Sequence, residues 1–399
     1  MNIPIIYLRS DEIKMLNGKR FNGTRLRSAR TYRGMTITEL ADNLGVASKS
    51  ISQYESNQSF PQFDTLMNII RTLRFPREYF YEQDNIEISI GNTYFRNSSK
   101  MSKKEESMQK EKTKLIGKLF IFLSEYIKFP DLNLPEFDEE LSIEYKALKL
   151  REYWGLGEDP ITDIIYVLEK NGIIISSMHT NSENVDAFSQ QQNINGKKHY
   201  IIVLGNDKSS ATRRQFSVAH ELGHIILHDG FLELENMTRE ELRKIENEAH
   251  CFATAFLLPK NAFSKDIQLH PTNPEYYKEL KKKWRTSISA MTVRGNQLGI
   301  ISYNSYQSLM NKMSRLGWKI DEPLDDTLIM STPTVLRRAI DIILDNGILD
   351  ELGITKALSL FGLSLDGEEI EILLGLNKGK LMPKHLDSKV IELPLIKRD

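Results

Sequence analysis

The 399 residues contain one cysteine, Cys251, so no disulfide can form within the chain and no thiolate-rich zinc site can be built. That usage fits a reducing compartment, and any transition metal must be held by histidine and carboxylate. Long hydrophobic runs are also missing. The apolar stretch Ile3–Leu8 is cut off by Arg9, Asp11 and Glu12, too early for a secretory leader, and no uninterrupted apolar run approaches membrane-spanning length. These absences predict a soluble, cytoplasmic protein with no membrane partner. Charge of one sign is missing too: the formal net charge is −1. The average hides a local bias, because residues 1–83 hold twelve Lys and Arg against eight Asp and Glu, a surplus of four that permits DNA contact without demanding it. Neither internal repeats nor low-complexity tracts occur, and the length suggests two or three domains.

Against these absences stands the segment Gln215–His228, where His220, Glu221 and His224 fall in HExxH spacing on an apolar, helix-forming run. Residues four apart on a helix lie about 40° apart around the axis and roughly 6 Å along it, so two imidazoles can converge on one ion. Glu221 then faces the open coordination position as a general base. A catalytic zinc site of this kind needs a third ligand from a neighbouring element. The best source is Ile245–Pro259, in which Glu246 and His250 are four apart and share a helix face. Glu246 is the expected third ligand. His250 is a donor that orients a ligand imidazole, an alternative ligand, or a core histidine. Glu248, about 200° around the helix from Glu246, is expected to point into solvent. His228, one turn beyond His224, either approaches the site as a supporting group or interacts with the carbonyls at the helix end. His199 and Tyr200, on the preceding strand, are candidates for stabilising an oxyanion.

The rest of the chain reads as mainly helical with a small sheet, an α+β class. Short helices with tight breaks at Gly34, Gly45 and Pro61 run from Thr24 to Tyr81. A strand-like Ile86–Tyr94 follows, then a Ser/Asn break at Asn97–Ser99, then a helix with seven lysines between Lys100 and Lys118, read as a solvated interdomain spacer. Helices near Ser142–Trp154 and Ile161–Asn171 precede two expected strands, Gly172–Met178 and His199–Leu204. Beyond Pro271 the chain looks helical, with helices near Ile288–Leu298 and Ser305–Leu316. A last bundle, Leu336–Leu376, is either an ordinary packed unit or a second helix-turn-helix-like one.

Two resemblances sharpen this outline. Ser217–His228 with Glu246–Pro259 downstream, and the lead-in Asp186–Ser189, Tyr200–Asn206 and Arg213-Arg214, resemble the ImmA/IrrE family of metallopeptidase-like proteins over roughly Leu141–Pro259. The resemblance implies a zincin-like fold, Zn2+ as cofactor, Glu246 as third ligand, and cleavage of a helix-turn-helix repressor. The chain departs from the family at His250, where Asn or Asp is usual. Residues 24–83 resemble the helix-turn-helix of Xre/Cro-type repressors. Leu40, Ala41, Leu44, Val46 and Ile51 interlock two helices around Gly45, and Ser48, Lys49, Ser50 and Gln53 then project towards bases and phosphates of a double-stranded operator. Asn57 stands at the usual glycine position and tolerates left-handed geometry, while Ala47 replaces a capping Ser. Arg25, Arg27, Arg30 and Arg33 are expected in solvent or on phosphates.

The expected organisation is a helix-turn-helix domain at 1–83, a linker and charged helix at 84–137, a zincin-like metallopeptidase domain at 138–265 and a helical C-terminal region at 266–399. Together these predict a DNA-binding regulator fused to a zinc endopeptidase, a homodimer on a two-fold operator. Its protein substrate is a repressor-like partner or its own segment 84–118. The competing expectation is a non-proteolytic regulator or antitoxin that keeps the domain as a sensor or structural module.

Overall fold

The computed structural model describes residues 15–16, 19–83, 85–95, 101–178, 186–205, 210–229, 237–319 and 321–382. The apolar run Ile3–Leu8 and the break Asn97–Ser99 lie outside them. Among the described residues no helix is long and apolar enough to cross a membrane.

The head begins with two short paired strands, β1 (Met15–Leu16) and β2 (Lys19–Arg20). Helices α1 (Gly23–Tyr32), α2 (Ile37–Leu44), α3 (Ser48–Glu55) and α4 (Phe63–Leu73) follow, and a 3-10 turn, Arg77–Tyr81, closes the unit. A capping box between Thr36 and Glu39 starts α2, and Gly45, at φ 66°, ends it in the left-handed region that a side chain would disfavour. Leu40, Ala41, Leu44 and Ile51 are buried at the α2–α3 contact, as their spacing implies. Asn57 adopts φ 58° and accepts a hydrogen bond from Gly23 N at 2.8 Å, while α3 starts at Ala47 without a side-chain cap.

Three of the four arginines expected on the surface or on phosphates are used inside instead. Arg25 is buried and donates to Gly362 O at 3.0 Å. Arg30 forks onto Glu55 at 2.6 and 3.0 Å, and Arg33 reaches Glu369 at 2.6 Å and Leu73 O at 2.6 Å. Only Arg27 of the four is exposed. Their carboxylate and carbonyl partners lie outside the local sequence, which is why the pattern alone misassigned them.

The linker is also more structured than its charge suggests. Strand β3 (Ile88–Phe95) leads to α5 (Lys103–Ser124), which starts at a Ser102/Glu105 capping box. Rather than a solvated spacer, α5 is a spine: Gln109, Lys112, Thr113 and Lys118 are buried along with Leu115, Ile116 and Leu119. Its polar stretch is accommodated by specific contacts, such as the Lys112 ammonium 5.8 Å from the Tyr32 ring centre and Gln192 Nε2 donating to Thr113 O at 2.9 Å.

The lobe that follows contains α6 (Ile143–Tyr153), α7 (Ile164–Lys170), β4 (Ile174–Met178), β5 (Ala187–Ile194), β6 (Lys197–Gly205), α8 (Ala211–Leu227) and α9 (Arg239–Leu257). Helices α10 (Lys260–Ile267), α11 (Pro274–Trp284), α12 (Ile288–Gln297) and α13 (Tyr303–Arg315) complete it. The sheet order is β3-β5-β6-β4, with β4 parallel to β6 and the other pairs antiparallel. Strand β5 escaped the sequence reading because its core is Ser189-Gln190-Gln191-Gln192. The buried Gln190 and Gln192 amides bond to one another and to β3, with Gln192 Nε2 to Gln190 Oε1 at 2.7 Å and Gln190 Nε2 to Thr93 Oγ1 at 3.1 Å.

Both faces of this sheet are buried, and they belong to different cores. Tyr200, Ile202 and Leu204 of β6 join the core of α6 to α13, whereas Ile201 and Val203 join that of the head, α5 and the last three helices. Those three, α14 (Val335–Asp345), α15 (Glu351–Phe361) and α16 (Gly367–Leu374), pack onto the head and onto β4, where Ser176 Oγ donates to Leu373 O. Glu369 is the clasp: it accepts from the Tyr32 hydroxyl and from Arg33. Glu82 makes a second one, accepting from Ser364 N at 2.9 Å and Ser364 Oγ at 2.6 Å. Burial, then the neighbouring Glu369 charge, pushes the Tyr32 hydroxyl well above its usual pKa, so it stays a donor. Replacing Glu369 by Ala should lower stability by about 1–3 kcal/mol in urea unfolding, with a smaller loss for Glu369→Gln, because two partly buried donors lose their acceptor.

Candidate metal centre and active site

Helix α8 is capped by Ser210, which accepts from Arg213 N, and turns one face onto the sheet and the other onto α9. Gly223, inside the HExxH stretch, lets the two helices meet: a Cβ there would lie 3.0 Å from Ala249 Cα and from Ala249 O. This approach lets Glu246 of α9 reach across to α8.

His220, Glu221 and His224 are each fully buried, and the three candidate ligands come together. His220 Nε2 and His224 Nε2 are 3.1 Å apart, and the Glu246 oxygens lie 3.3 Å from the first and 3.4 Å from the second. Ligand atoms held about 2.0–2.1 Å from a tetrahedral ion stand roughly 3.3–3.4 Å apart. The donor set therefore fits a zinc ion in spacing as well as in chemistry. Protonation states agree: burial pushes His220 down to about 4, against the raising effect of Glu246. Burial pulls the Glu246 carboxyl upward, but the bonds from His220 and His224 outweigh it and hold it well below the usual carboxylate range. Neutral imidazole beside ionised carboxylate is the state a metal requires.

Glu221 points from the same helix towards β5, where Ser189 Oγ donates to its Oε2 at 2.7 Å. Nothing in the sequence marks Ser189 as a site residue beyond its place at the end of the Asp186–Ser189 lead-in. Its cross-strand partner on β3 is Tyr94, whose ring stacks on His224 with centres 4.4 Å apart and planes 8° off parallel. The Tyr94 hydroxyl donates to His228 O at 2.6 Å.

His228 sits beside His224 rather than serving the helix end. The two Nδ1 atoms are 3.2 Å apart, and His228 Nε2 is 2.9 Å from Glu248 Oε2. Glu248 is thus not a solvated residue, as helix geometry alone implied. Where α8 and α9 approach so closely, residues on both sides of the contact line reach the partner helix. An ion at the site would take the place of the bond from His224 to Glu246: with Glu248 accepting from His228 Nε2–H and His228 Nδ1 accepting from His224 Nδ1–H, the His224 Nε2 lone pair would then be free for that ion. The Nδ1 of His220 has no hydrogen-bond partner among the described residues, so the two ligand imidazoles are held differently.

His250 lies next to His220, ring centres 4.6 Å apart, and 5.5 Å from Phe216, but outside the three-ligand cluster. It borders a cleft of about 710 Å³ that also involves Arg213, Ser289, Trp318 and Glu322. The oxyanion candidates separate, since strand alternation sends them to opposite faces: Tyr200 is engaged by Asp229, and His199 packs on Phe120. In the head, Ser48, Lys49, Ser50 and Gln53 occupy the first turns of α3. Lys49 is exposed and the other three are half-buried.

Fold and site together define a helix-turn-helix protein joined to a metallopeptidase-type α+β lobe. A family model of the IrrE N-terminal-like domain matches residues 168–295, and a helix-turn-helix domain model matches residues 23–86. The chain therefore carries an ImmA/IrrE-type domain and an Xre-type head, while β3, α5 and the last three helices lie outside both matches. No curated protein matches the chain in sequence. Among solved structures, the crystal structure of Bacillus thuringiensis PlcR in complex with the peptide PapR7 and DNA is similar at 14% identity, over 74% of this chain and 96% of that one, with a TM-score of 0.15.

Glu248→Gln should weaken zinc binding about 10- to 100-fold, read by competition with a chromophoric chelator, because the terminal acceptor of the histidine pair is lost. Unchanged affinity would show that the pair does not orient His224.

Proposed function

We propose that this protein is a transcriptional regulator that binds operator DNA through its head and uses the IrrE-like lobe as a zinc endopeptidase against a repressor-like partner. One observation carries the reading: His220, His224 and Glu246 converge at ligand spacing with Glu221 adjacent and held by Ser189. His220, His224 and Glu246 would hold Zn2+, which when bound acidifies a water towards pKa 7 and polarises a peptide carbonyl. The protein's own groups do the rest. Glu221 takes the proton of the attacking water and delivers it to the leaving amine. Ser189 fixes one oxygen of that carboxylate, and the buried walls keep bulk water from it. His228 supports His224, and His250 lines the approach on the His220 side.

A partner protein is a better substrate than the chain's own segment 84–118. Residues 88–95 are paired in the sheet and 103–118 lie within α5, whereas a scissile segment must be extended and unpaired. Ser48, Lys49, Ser50 and Gln53 would meet a double-stranded operator, and two-fold operators favour a homodimer. The competing reading, a regulator or antitoxin with a non-proteolytic lobe, is favoured by one observation, the complete burial of His220, Glu221 and His224.

Glu221→Gln separates these readings, while metal content and operator binding test what they share. Purified protein should bind zinc stoichiometrically and lose it in His220→Ala, while Glu221→Gln keeps the metal and DNA binding but loses cleavage of the partner repressor and induction of its genes. Induction that persists unchanged in Glu221→Gln would favour the non-proteolytic reading. Lys49→Ala should weaken operator binding about evenly across sequences and lower the salt slope by about 1, measured by fluorescence anisotropy over a salt series.

A further inference from the structure

We infer that the edge of β5 beside the metal site is an acceptor surface for an extended peptide strand, and that β3 is its resident occupant, so that a peptide enters only when β3 leaves. The inference rests on the peptidase reading for its chemistry, though its geometry stands without it.

Position is the first support. Strand β3 pairs antiparallel with β5 through Thr93↔Gln190, Tyr94↔Ser189 and Phe95↔Phe188. Ser189 is the residue that holds Glu221, and Tyr94 lies flat on His224. No other segment among the described residues pairs with that side of β5. The backbone donors and acceptors that β3 satisfies there are those an incoming peptide would use, since strand addition to a sheet edge is a general mode of peptide capture.

The second support is how lightly β3 is held. Tyr94 is buried yet belongs to neither hydrophobic core, and Ile88 and Ile90 are half-buried and belong to neither. Of the β3 side chains described, only Thr93 and Tyr94 are buried. The register breaks between Ile90 and Thr93, where Gly91 passes so close to β5 that a Cβ would lie 2.6 Å from Gln191 Oε1. Such a bulge interrupts the ladder and re-aims the side chains beyond it, here Tyr94 onto His224. Besides its interrupted backbone ladder, the strand is held by the Tyr94 ring and hydroxyl and by the bond from Gln190 to Thr93, and neither hydrophobic core includes a β3 side chain that is described.

Third, β3 is outside both family matches, which end at residue 86 and resume at 168. It begins six positions after Glu82, the group clasped by Ser364. The ligand class follows from what β3 presents: an extended peptide running antiparallel to β5, with a planar aromatic side chain at the position facing His224.

The test uses the full chain with Cys251→Ser and Glu221→Gln, which prevents hydrolysis, and adds Ser89→Cys with Asn193→Cys. Ser89 and Asn193 are direct cross-strand partners and both are exposed, so a disulfide between them pins β3 without touching the site. The probe is a fluorescein-labelled peptide copying residues 86–95, followed by anisotropy. While β3 is in place the apparent affinity is reduced by the fraction of open molecules. Tyr94→Ala should therefore bind the probe at least tenfold more tightly than its parent. The oxidised double-cysteine protein should not bind it, and dithiothreitol should restore binding. Equal binding by the oxidised and reduced forms would overturn the inference, as would failure of both the reduced form and a folded Tyr94→Ala protein to bind. Repeating the titration without metal separates the two claims. Zinc content and cleavage are read on the same chain with Glu221 intact: lock-sensitive binding where that chain neither holds zinc nor cleaves would sink the peptidase reading alone, and lock-insensitive binding where it does both would sink the strand inference alone.

Discussion

The structure depends on a four-stranded sheet whose inner strands are buried on both faces. One face of β6 presents Tyr200, Ile202 and Leu204 to the helices that bear the metal site, and the other presents Ile201 and Val203 to the core shared by the head, α5 and the last three helices. Because the side-chain period of a strand is two, a one-residue slip would exchange these sets and mispack both cores together. The head is thus not a separate bead on a string. Its core is continuous with one face of the sheet whose other face positions the HExxH helix, and any change in how it docks is felt at the wall behind the site.

Within the lobe, the governing contact is the approach of α8 to α9 at Gly223 and Ala249. Two consequences follow on either side of it. Glu246 reaches His220 and His224, and Glu248 reaches His228, so a pair of carboxylates two residues apart addresses two different histidine groups. One carboxylate completes a ligand set and the other sets a tautomer. Burial supports both, since it keeps the His220 imidazole neutral and pushes His228 down as well, with Glu248 opposing.

Much of this was legible in the sequence, for a reason that is local. HExxH spacing, a carboxylate on a following helix, and the Gly45 turn of the head are properties of single helices or short turns, and the structure keeps those spacings. What was hidden depends on partners distant in the chain. The Gln-rich β5 reads as polar loop until its amides find Thr93 and Thr113. The lysine-rich α5 reads as solvated until Lys112 and Lys118 are seen buried. Arg25, Arg30 and Arg33 look like a phosphate-binding row until Gly362, Glu55 and Glu369 claim them. Tyr94 gave no signal, because its role exists only through strand pairing. A signal for Glu248 was present in its spacing to His228 across two helices, but only a known helix approach turns it into a contact.

The chemistry of the lobe is decided by the identity of the metal donors. Zinc K-edge X-ray absorption on the full-length, zinc-loaded protein should show two imidazoles and oxygen scatterers at about 2.0–2.1 Å. A sulfur shell near about 2.3 Å, a third imidazole, or a protein that retains no zinc would contradict it.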